Sequence, residues 1–240
     1  MPDSAVQLFR TIRVSRASQE IVQQIKAHIF DGKLEPGNRL PSEKELAEQF
    51  GLSRITVRDA LRVLESQGLI SIKVGAGGGA FVADPSAQYS SELVTDLLRL
   101  QHASSQELVE ARIVIETAIV TFAAERATAE DLAAMQEAIN AARAARTAGE
   151  SRFTPYSVDF HIALSKSAKN QVLQFTVDSF RTLFYETLEK LMPNELMAER
   201  AIEDHQGLLD AIAAHDAKRA RQIMREHLSY FEERARKLDT

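Results

Sequence analysis

The first third of the chain repeats apolar residues at helical spacing in three separate stretches. The first stretch ends at Gly32 and is followed by a Pro36-Gly37 turn, and the second ends at Gly51. In chain order, the predicted buried positions are Ile21, Val22, Ile25 and Ile29, then Leu46, Ala47 and Phe50, then Val57, Ala60, Leu61 and Leu64. This spacing predicts three short helices, each with one face against a common core.

Short polar residues mark where the second and third helices begin. Ser42 stands three residues before Glu45, which is the spacing of a capping box, and Ser53 is placed to cap the third helix. After Gly68 the segment LISIKV alternates apolar and polar residues, a GAGGG turn follows, and AFV continues the pattern. Alternation around a glycine turn predicts a β-hairpin. Three helices followed by a hairpin predict a winged helix-turn-helix.

Helical periodicity continues through the rest of the chain, where glycine is rare. Eight of the ten glycines lie before residue 80. Ser104 precedes Glu107 by three residues, and Thr128 precedes Asp131 by three, so both pairs predict helix starts with capping boxes. We expect about six helices in this part, packed as an all-α bundle.

The segment ADPSAQ at 83–88 combines proline with small and polar residues and predicts a linker. The chain is therefore expected to be mainly α, with an N-terminal winged helix-turn-helix of three helices plus a β-hairpin wing and a C-terminal all-helical bundle. The predicted segments are an arm at 1–17, the winged domain at 18–82, the linker at 83–88 and the helical domain at 89–240.

Composition narrows the chemistry. The 240 residues include no cysteine, which excludes disulfides, thiolate metal sites and a cysteine nucleophile. The start of the chain lacks the apolar stretch of a signal peptide, and the apolar run IVIETAIVTFAA is too short to span a membrane and contains Glu116. We therefore expect a cytoplasmic protein without a membrane partner.

Charge is distributed unevenly between the two parts. The whole chain carries a net charge of -5, but residues 1–82 hold 11 Lys and Arg against 9 Asp and Glu, a net of +2. Residues 83–240 hold 18 against 25, a net of -7. Because binding to DNA phosphates needs local positive potential, any nucleic-acid contact belongs to the first part.

The third helix presents a polar row. With its apolar residues facing the core, Arg54, Thr56 and Arg58 point outward around its first turns. Arginine pairs with guanine edges in the major groove, while hydroxyls and lysine hold phosphates. A basic helix face on its own is more often simply solvated. The ordered combination of three helices and a wing favours a DNA reader.

The residues LEPGNRLPSEKELAEQFGLSRITVRDALRVLESQGLI closely resemble the GntR family of bacterial transcription regulators, and the likeness runs from about Ser18 to Val82. The resemblance implies DNA contacts at Lys44, Ser53, Arg54, Thr56, Arg58 and, in the wing, Gly75. Lys44 and Ile55 depart from the commoner pattern, which has arginine and a small hydroxyl residue there. The operator sequence is therefore not implied.

The second part resembles the FadR-like branch of that family. The stretches at 107–128, 159–170 and 203–228 are similar to its C-terminal domain, the FCD domain. The resemblance implies an effector-binding and dimerisation domain, and hence a homodimer that binds operator DNA, most commonly as a repressor. The sequence does not name the effector.

Three histidines, His161, His205 and His227, lie within apolar helical patterns. A polar ring in such a setting needs a partner, and a single one is more often a satisfied core or surface residue than a ligand. Neutral imidazoles from three helices suit an ion of the Zn or Ni type, with positions left for water or an anion. The resemblance implies such a divalent metal site in many relatives.

Ser157 stands where those relatives carry an aspartate, four residues before His161. Asp159 is no substitute, because two residues along a helix turn a side chain by about 200°. Ser157, one turn before His161, lies on its face and is a weak candidate ligand. Loss of an anionic ligand leaves metal binding open.

Arg112 lies within an apolar helical pattern, and a buried arginine needs an anion. One interpretation is an ion pair, with Glu116 one turn later or with another helix. The other, implied by the resemblance, is a clamp for the carboxylate of a small organic acid in the effector pocket. The resemblance favours the clamp, with the ion pair as the alternative.

Two other functions compete with a ligand-responsive regulator. The histidines could hold the catalytic ion of a hydrolase, but the chain has no HExxH motif, nucleophile elbow or phosphate loop, and a hydrolase leaves the first domain unexplained. An architectural DNA-binding protein would use the helical domain only to dimerise. We therefore expect a regulator without enzymatic activity.

Overall fold

The computed structural model of the chain describes residues 16–75, 77–83, 87–149, 153–191 and 194–236. Within these residues the protein forms eleven α-helices and one two-stranded sheet. The first elements are α1 (Arg16–Phe30), α2 (Glu43–Phe50), α3 (Arg54–Ser66), β1 (Ile70–Lys73) and β2 (Gly79–Val82). The later ones are α4 (Ala87–Leu100), α5 (Ser105–Arg126), α6 (Ala129–Thr147), α7 (Thr154–Ser167), α8 (Gln171–Ser179), α9 (Arg181–Lys190), α10 (Glu195–Ala213) and α11 (Ala217–Ala235).

The apolar faces of the first three helices meet in one core. α3 packs against both α1 and α2, and every residue predicted to face the core lies in this cluster or against it. Leu40 and residues of the two strands complete the cluster. The predicted winged helix-turn-helix is therefore confirmed.

The wing is an antiparallel hairpin. Ile70 pairs with Val82 and Lys73 with Gly79. Arg39, in the segment before α2, forms a bridge with Phe81 of β2. The hairpin is thus held at its side as well as through its own strands.

The predicted helix caps are confirmed. Both hydrogen bonds of a capping box form at Ser42 with Glu45, Ser104 with Glu107, and Thr128 with Asp131. The Ser53 side chain accepts from the backbone N–H of Thr56 and caps α3. Gly51 ends α2 with φ 65°, a left-handed conformation that glycine adopts without strain.

The second unit is all-helical around its own core. α5 packs along α11 and against α7, and α6 packs against α7 and α10. Phe160, Met135, Leu208, Met224 and Leu228 are completely buried at the centre of this core. The C-terminal helical bundle is confirmed.

The described residues from 87 onward form eight helices, so the expectation of about six was too low. α8 and α9 meet at Phe180 without glycine or proline. Three other turns use His102, Lys169 and His215 with φ between 49° and 56°. A scarcity of glycine does not exclude sharp turns, because other residues also enter the left-handed region when packing fixes them.

The chain divides into two compact units, one up to residue 86 and one from residue 87. The predicted arm at 1–17 lies almost entirely outside the described residues, and so does residue range 84–86 of the predicted linker. The domain boundaries remain predictions. No helix in the described ranges is long and apolar enough to cross a membrane.

Candidate functional site

The outward face of α3 carries two exposed arginines, Arg54 and Arg58. Thr56 is half-buried, and its hydroxyl lies 2.9 Å from the hydroxyl of Ser53. Ser53 also accepts from the Thr56 backbone N–H at 3.1 Å, so the cap fixes both hydroxyls at the start of the helix. The structure thus brings these four predicted contact residues together on the first turns of α3.

Arg58 does not extend freely into solvent. Its Nε donates to Oε1 of Glu43 at 2.9 Å and its Nη2 donates to Oε2 at 2.6 Å. Arg54 makes only a loose ion pair with the same carboxylate, at 3.8 Å. The hydrogen bond from Arg58 holds the pKa of Glu43 below its ordinary value. Sequence reasoning missed Glu43, because fifteen residues and a turn separate it from Arg58 and no local spacing signals the pair.

The remaining DNA-contact candidates lie on α2 and the wing. Lys44 is exposed, with its Nζ 3.8 Å from a carboxylate oxygen of Glu48. Gly75 is exposed with φ 106°. The Arg39 Nη2 donates to the carbonyl of Gly78 at 2.5 Å, which braces the wing turn. Lys44 and Gly75 are therefore both accessible from solvent.

The three predicted histidines converge from separate helices of the second unit. His161 lies on α7, His205 on α10 and His227 on α11, and each is at most 2% exposed. One ring nitrogen from each can be chosen so that all lie within 4.8 Å of one another. The ring centroids are 5.0 to 5.4 Å apart. The cluster is close enough that one ligand atom from each histidine could hold a metal ion.

Carboxylates lie behind two of the rings. His161 Nδ1 hydrogen-bonds to Oε2 of Glu116, and His227 Nδ1 lies 3.0 Å from Oδ2 of Asp204. In the described part of the chain, the Nε2 atoms of His161 and His205 are buried without a hydrogen-bond partner. Histidine metal ligands commonly donate their other ring N–H to a carboxylate in this way.

Burial keeps two of these imidazoles neutral. Desolvation lowers the pKa of His161 to about 4, although Glu116 opposes the shift. Desolvation also lowers the pKa of His205 well below its ordinary value. A neutral imidazole with a free nitrogen is the form that binds a metal ion.

Arg112 is buried on α5 beside this cluster. Its Nε donates to Oε1 of Glu116 at 2.8 Å, and its guanidinium carbon lies 4.4 Å from the centre of the Phe184 ring. Burial alone raises the pKa of Glu116, but the charge of Arg112 and the contact with His161 outweigh it and hold that pKa at about 2. The ion pair with Glu116 at i+4, which was the alternative to a carboxylate clamp, is present.

Ser157 and Asp159, four and two residues before His161 on α7, lie in different environments. Ser157 is buried, whereas Asp159 is exposed and pairs with Arg181 at 3.0 Å. Asp159 therefore lies outside the cluster, as the helical rotation predicts. Sequence reasoning missed Asp204, although its helix was identified through His205.

Comparisons with known proteins identify both units. Residues 17–82 match the family described as "Bacterial regulatory proteins, gntR family", and residues 107–230 match the FCD domain. The chain is 34% identical to the galactonate operon transcriptional repressor of Escherichia coli, over 85% of this chain and 90% of that protein. It is 30% identical to the Uxu operon regulator of Haemophilus influenzae, over 90% and 80% of the two chains.

Among solved structures, the fold is similar to that of GntR from Streptococcus agalactiae, with a TM-score of 0.72. That likeness covers 90% of this chain and 99% of the other at 22% identity, and it shows the fold alone. The family matches and the relatives that are 30% or more identical carry the assignment further. The protein is a DNA-binding transcription regulator that belongs to the GntR family, in the FadR-like branch with a C-terminal FCD effector domain.

Proposed function

We propose that this regulator binds operator DNA as a homodimer in the cytoplasm and represses transcription until a small organic anion enters the FCD domain. A divalent metal ion of the Zn or Ni type, held by His161, His205 and His227, completes the effector site. The observation that carries this proposal is the convergence of three buried imidazoles within 4.8 Å of one another. The regulator acts through binding alone, without catalysis.

On the DNA side, α3 enters the major groove and the wing lies against the backbone. Arg54 is the base reader, because its guanidinium makes only a loose contact at 3.8 Å. Arg58 is the second base reader, and it reaches the bases once its two hydrogen bonds to Glu43 are broken. The proposed backbone contacts are Lys44, Ser53, Thr56 and the amide at Gly75.

On the effector side, the residues present fit a divalent ion. Two buried Nε2 atoms have no hydrogen-bond partner within the described chain, and two of the rings have a carboxylate at Nδ1. The bound ion would supply a positive charge that attracts the oxygen of a carboxylate. Ser157 is the weakest member of the set, and Ser157→Asp should tighten metal binding if that position contacts the ion.

Arg112 is the proposed charge partner of the organic anion. Among the described residues, the guanidinium donates one hydrogen bond, from Nε to Glu116, and its Nη groups donate none. The anion shifts the dimer away from its DNA-binding arrangement only to the extent that it binds the two arrangements with different affinities. Operator DNA must then weaken anion binding by the same factor.

A thermal-shift screen tests the effector site. Small carboxylates are added to the full chain with and without Zn²⁺, Ni²⁺ or Mn²⁺, and one class of carboxylate should raise the melting temperature. Arg112→Ala should abolish that shift and leave operator affinity intact. An unaltered melting temperature under every condition would reject the effector site, and an Arg112→Ala protein that still responds would leave Arg112 as an ion pair only.

A further inference from the structure

Glu116 lies between the two proposed ligand sites and contacts a member of each. It is 1% exposed on α5. Its Oε1 accepts from Arg112 Nε at 2.8 Å, and its Oε2 contacts Nδ1 of His161 on α7. One carboxylate therefore joins the anion clamp to a metal ligand.

The contact selects the tautomer of His161. An ionised carboxylate only accepts hydrogen bonds, so the proton of the neutral ring must lie on Nδ1. The lone pair is then on Nε2, which is buried without a partner among the described residues. The other tautomer would turn a lone pair toward the carboxylate and is disfavoured. Glu116 thus fixes Nε2 as the metal-binding atom.

The same carboxylate cancels the charge of Arg112. The guanidinium is positive, and the buried Glu116 carboxylate that accepts from it at 2.8 Å is negative. The ion pair therefore carries no net charge. Arg112 keeps its Nη donors for an anion, but it offers little electrostatic attraction while Glu116 is paired with it.

We infer that Glu116 is a positioning residue that makes anion binding depend on the metal ion, because it orients His161 toward the metal while neutralising Arg112. This inference rests on the proposed function. A divalent ion restores the positive charge that Glu116 removes, so an organic anion binds well only to the metal-loaded protein. Arg112 then has both of the roles that the sequence offered as alternatives: it pairs with Glu116 through Nε and binds the organic anion through its Nη groups.

The test uses the full-length protein with Co²⁺ as the metal probe and acetate as the anion probe. Co²⁺ affinity is measured by visible absorption and acetate affinity by calorimetry, each with and without the other ligand. Glu116→Gln should weaken Co²⁺ binding by roughly 10- to 100-fold, as expected for loss of a carboxylate behind a histidine ligand. It should also strengthen acetate binding to the metal-free protein, because the charge of Arg112 is no longer opposed.

Two further variants separate this role from a structural one. Glu116→Asp keeps the negative charge but shortens the side chain, so Co²⁺ binding should weaken while metal-free acetate binding stays low. It also covers the case in which Glu116→Gln, which leaves Arg112 buried without its partner, fails to fold. Glu125→Gln makes the same change of charge at an exposed position of α5 and should alter neither affinity.

The outcomes distinguish this inference from the proposed function. Opposite changes in Co²⁺ and acetate affinity in Glu116→Gln, or the selective loss of Co²⁺ affinity in Glu116→Asp, support it. If the wild-type protein binds both ligands and the Glu116 variants bind them equally well, Glu116 is only structural and the proposed effector site stands. If the wild-type protein binds no Co²⁺, the metal site and this inference both fail.

Discussion

At the scale of single residues, the groups behind the clustered histidines determine which nitrogen is free. Glu116 occupies Nδ1 of His161, and Asp204 lies at Nδ1 of His227. His205 instead stacks on Phe160, with ring centroids 4.0 Å apart. The rings are therefore held by contacts outside the cluster.

The neutral histidines predict an acid-sensitive stability in the metal-free protein. Above pH 6.5 His161 is neutral in both the folded and the unfolded state, so it does not make the free energy of unfolding depend on pH. Between 6.5 and about 4 the unfolded chain gains a proton that the folded chain does not. The free energy of unfolding should then fall by about 1.4 kcal/mol per pH unit for each such histidine. Glu116, with a pKa lowered from 4.5 to about 2, acts in a lower window: its stabilisation is complete above 4.5 and lost toward 2.

Urea unfolding with a chelator present, at a series of pH values from neutral to mildly acidic, measures this effect. His161→Gln should reduce the slope between pH 6.5 and 4. His28→Gln, at an exposed position of α1, removes a histidine without touching the cluster and serves as the control. Equal slopes in the wild type and His161→Gln would contradict the assignment of His161 as a buried neutral ring.

The two arginines of α3 should contribute differently to DNA recognition. Arg54→Ala should lower the affinity for the operator by roughly 10-fold relative to unrelated DNA, because a base contact is lost. Arg58→Ala should cost less, because Arg58 must first leave its two hydrogen bonds to Glu43. Glu43→Gln should raise affinity for DNA of any sequence, and only when Arg58 is present.

Operators selected from random duplexes, with anisotropy titrations over a range of salt concentrations, provide the measurement. Lys44→Ala should weaken binding to all sequences and flatten the salt dependence, as a phosphate contact does. Glu20→Gln, at an exposed position of α1, makes the same change of charge as Glu43→Gln and serves as its control, so it should leave the affinity for DNA unchanged. Unchanged operator affinity in both arginine variants would exclude α3 as the reading helix.

At the scale of elements, local signals explain where the helices start. A serine or threonine followed three residues later by an acid forms a capping box at α2, α5 and α6. These boxes satisfy backbone N–H groups that the helix itself cannot pair. They depend on residues three positions apart, which is why sequence reasoning identified them.

The wing provides a prediction at this scale, at Gly78. A Cβ there would lie 2.4 Å from the carbonyl oxygen of Lys73 and 2.9 Å from that of Gly75. Backbone atoms cannot move aside cheaply, so Gly78→Ala should distort the wing and weaken DNA binding several-fold, with Co²⁺ binding unchanged. Val74→Ala, on the same wing at a position 99% exposed, is the matched control. Full operator affinity in Gly78→Ala would show that the wing does not contact DNA.

At the scale of the whole molecule, the chain separates its two tasks. The first part carries a net charge of +2 and the second a net charge of -7. A negative second domain is disfavoured near DNA phosphates, and it has its own core, beside which the three histidines cluster. This separation supports DNA binding by the first unit and sensing by the second.

The proposed dimer predicts a symmetric operator. Two winged domains require inverted half-sites about 10 base pairs, or a multiple, apart. A duplex with a single half-site should bind roughly 100-fold or more weakly, because the second contact is no longer intramolecular. Analytical ultracentrifugation and titrations with one and two half-sites measure both properties. A monomer in solution, or equal affinity for both duplexes, would rule out the dimeric mode.

Features that depend on near neighbours could be predicted from the amino-acid sequence alone. The periodic apolar residues of α1 to α3, the caps, the glycine turn of the wing and the outward direction of Arg54 all follow from spacings of a few residues. The resemblance to a regulator family added the three histidines and Arg112 as a group. Neither source indicated that Glu116 also contacts His161, or that Asp204 lies behind His227.

Tertiary packing decided the rest. Forty-five residues separate Glu116 from His161, and twenty-three separate Asp204 from His227. Fifteen residues and a turn separate Glu43 from Arg58. Such pairs form only when whole helices pack at a particular angle and register, and no local propensity encodes that geometry. Packing also set the number of helices after residue 87, by holding His102 and His215 in left-handed turns that short-range patterns do not signal.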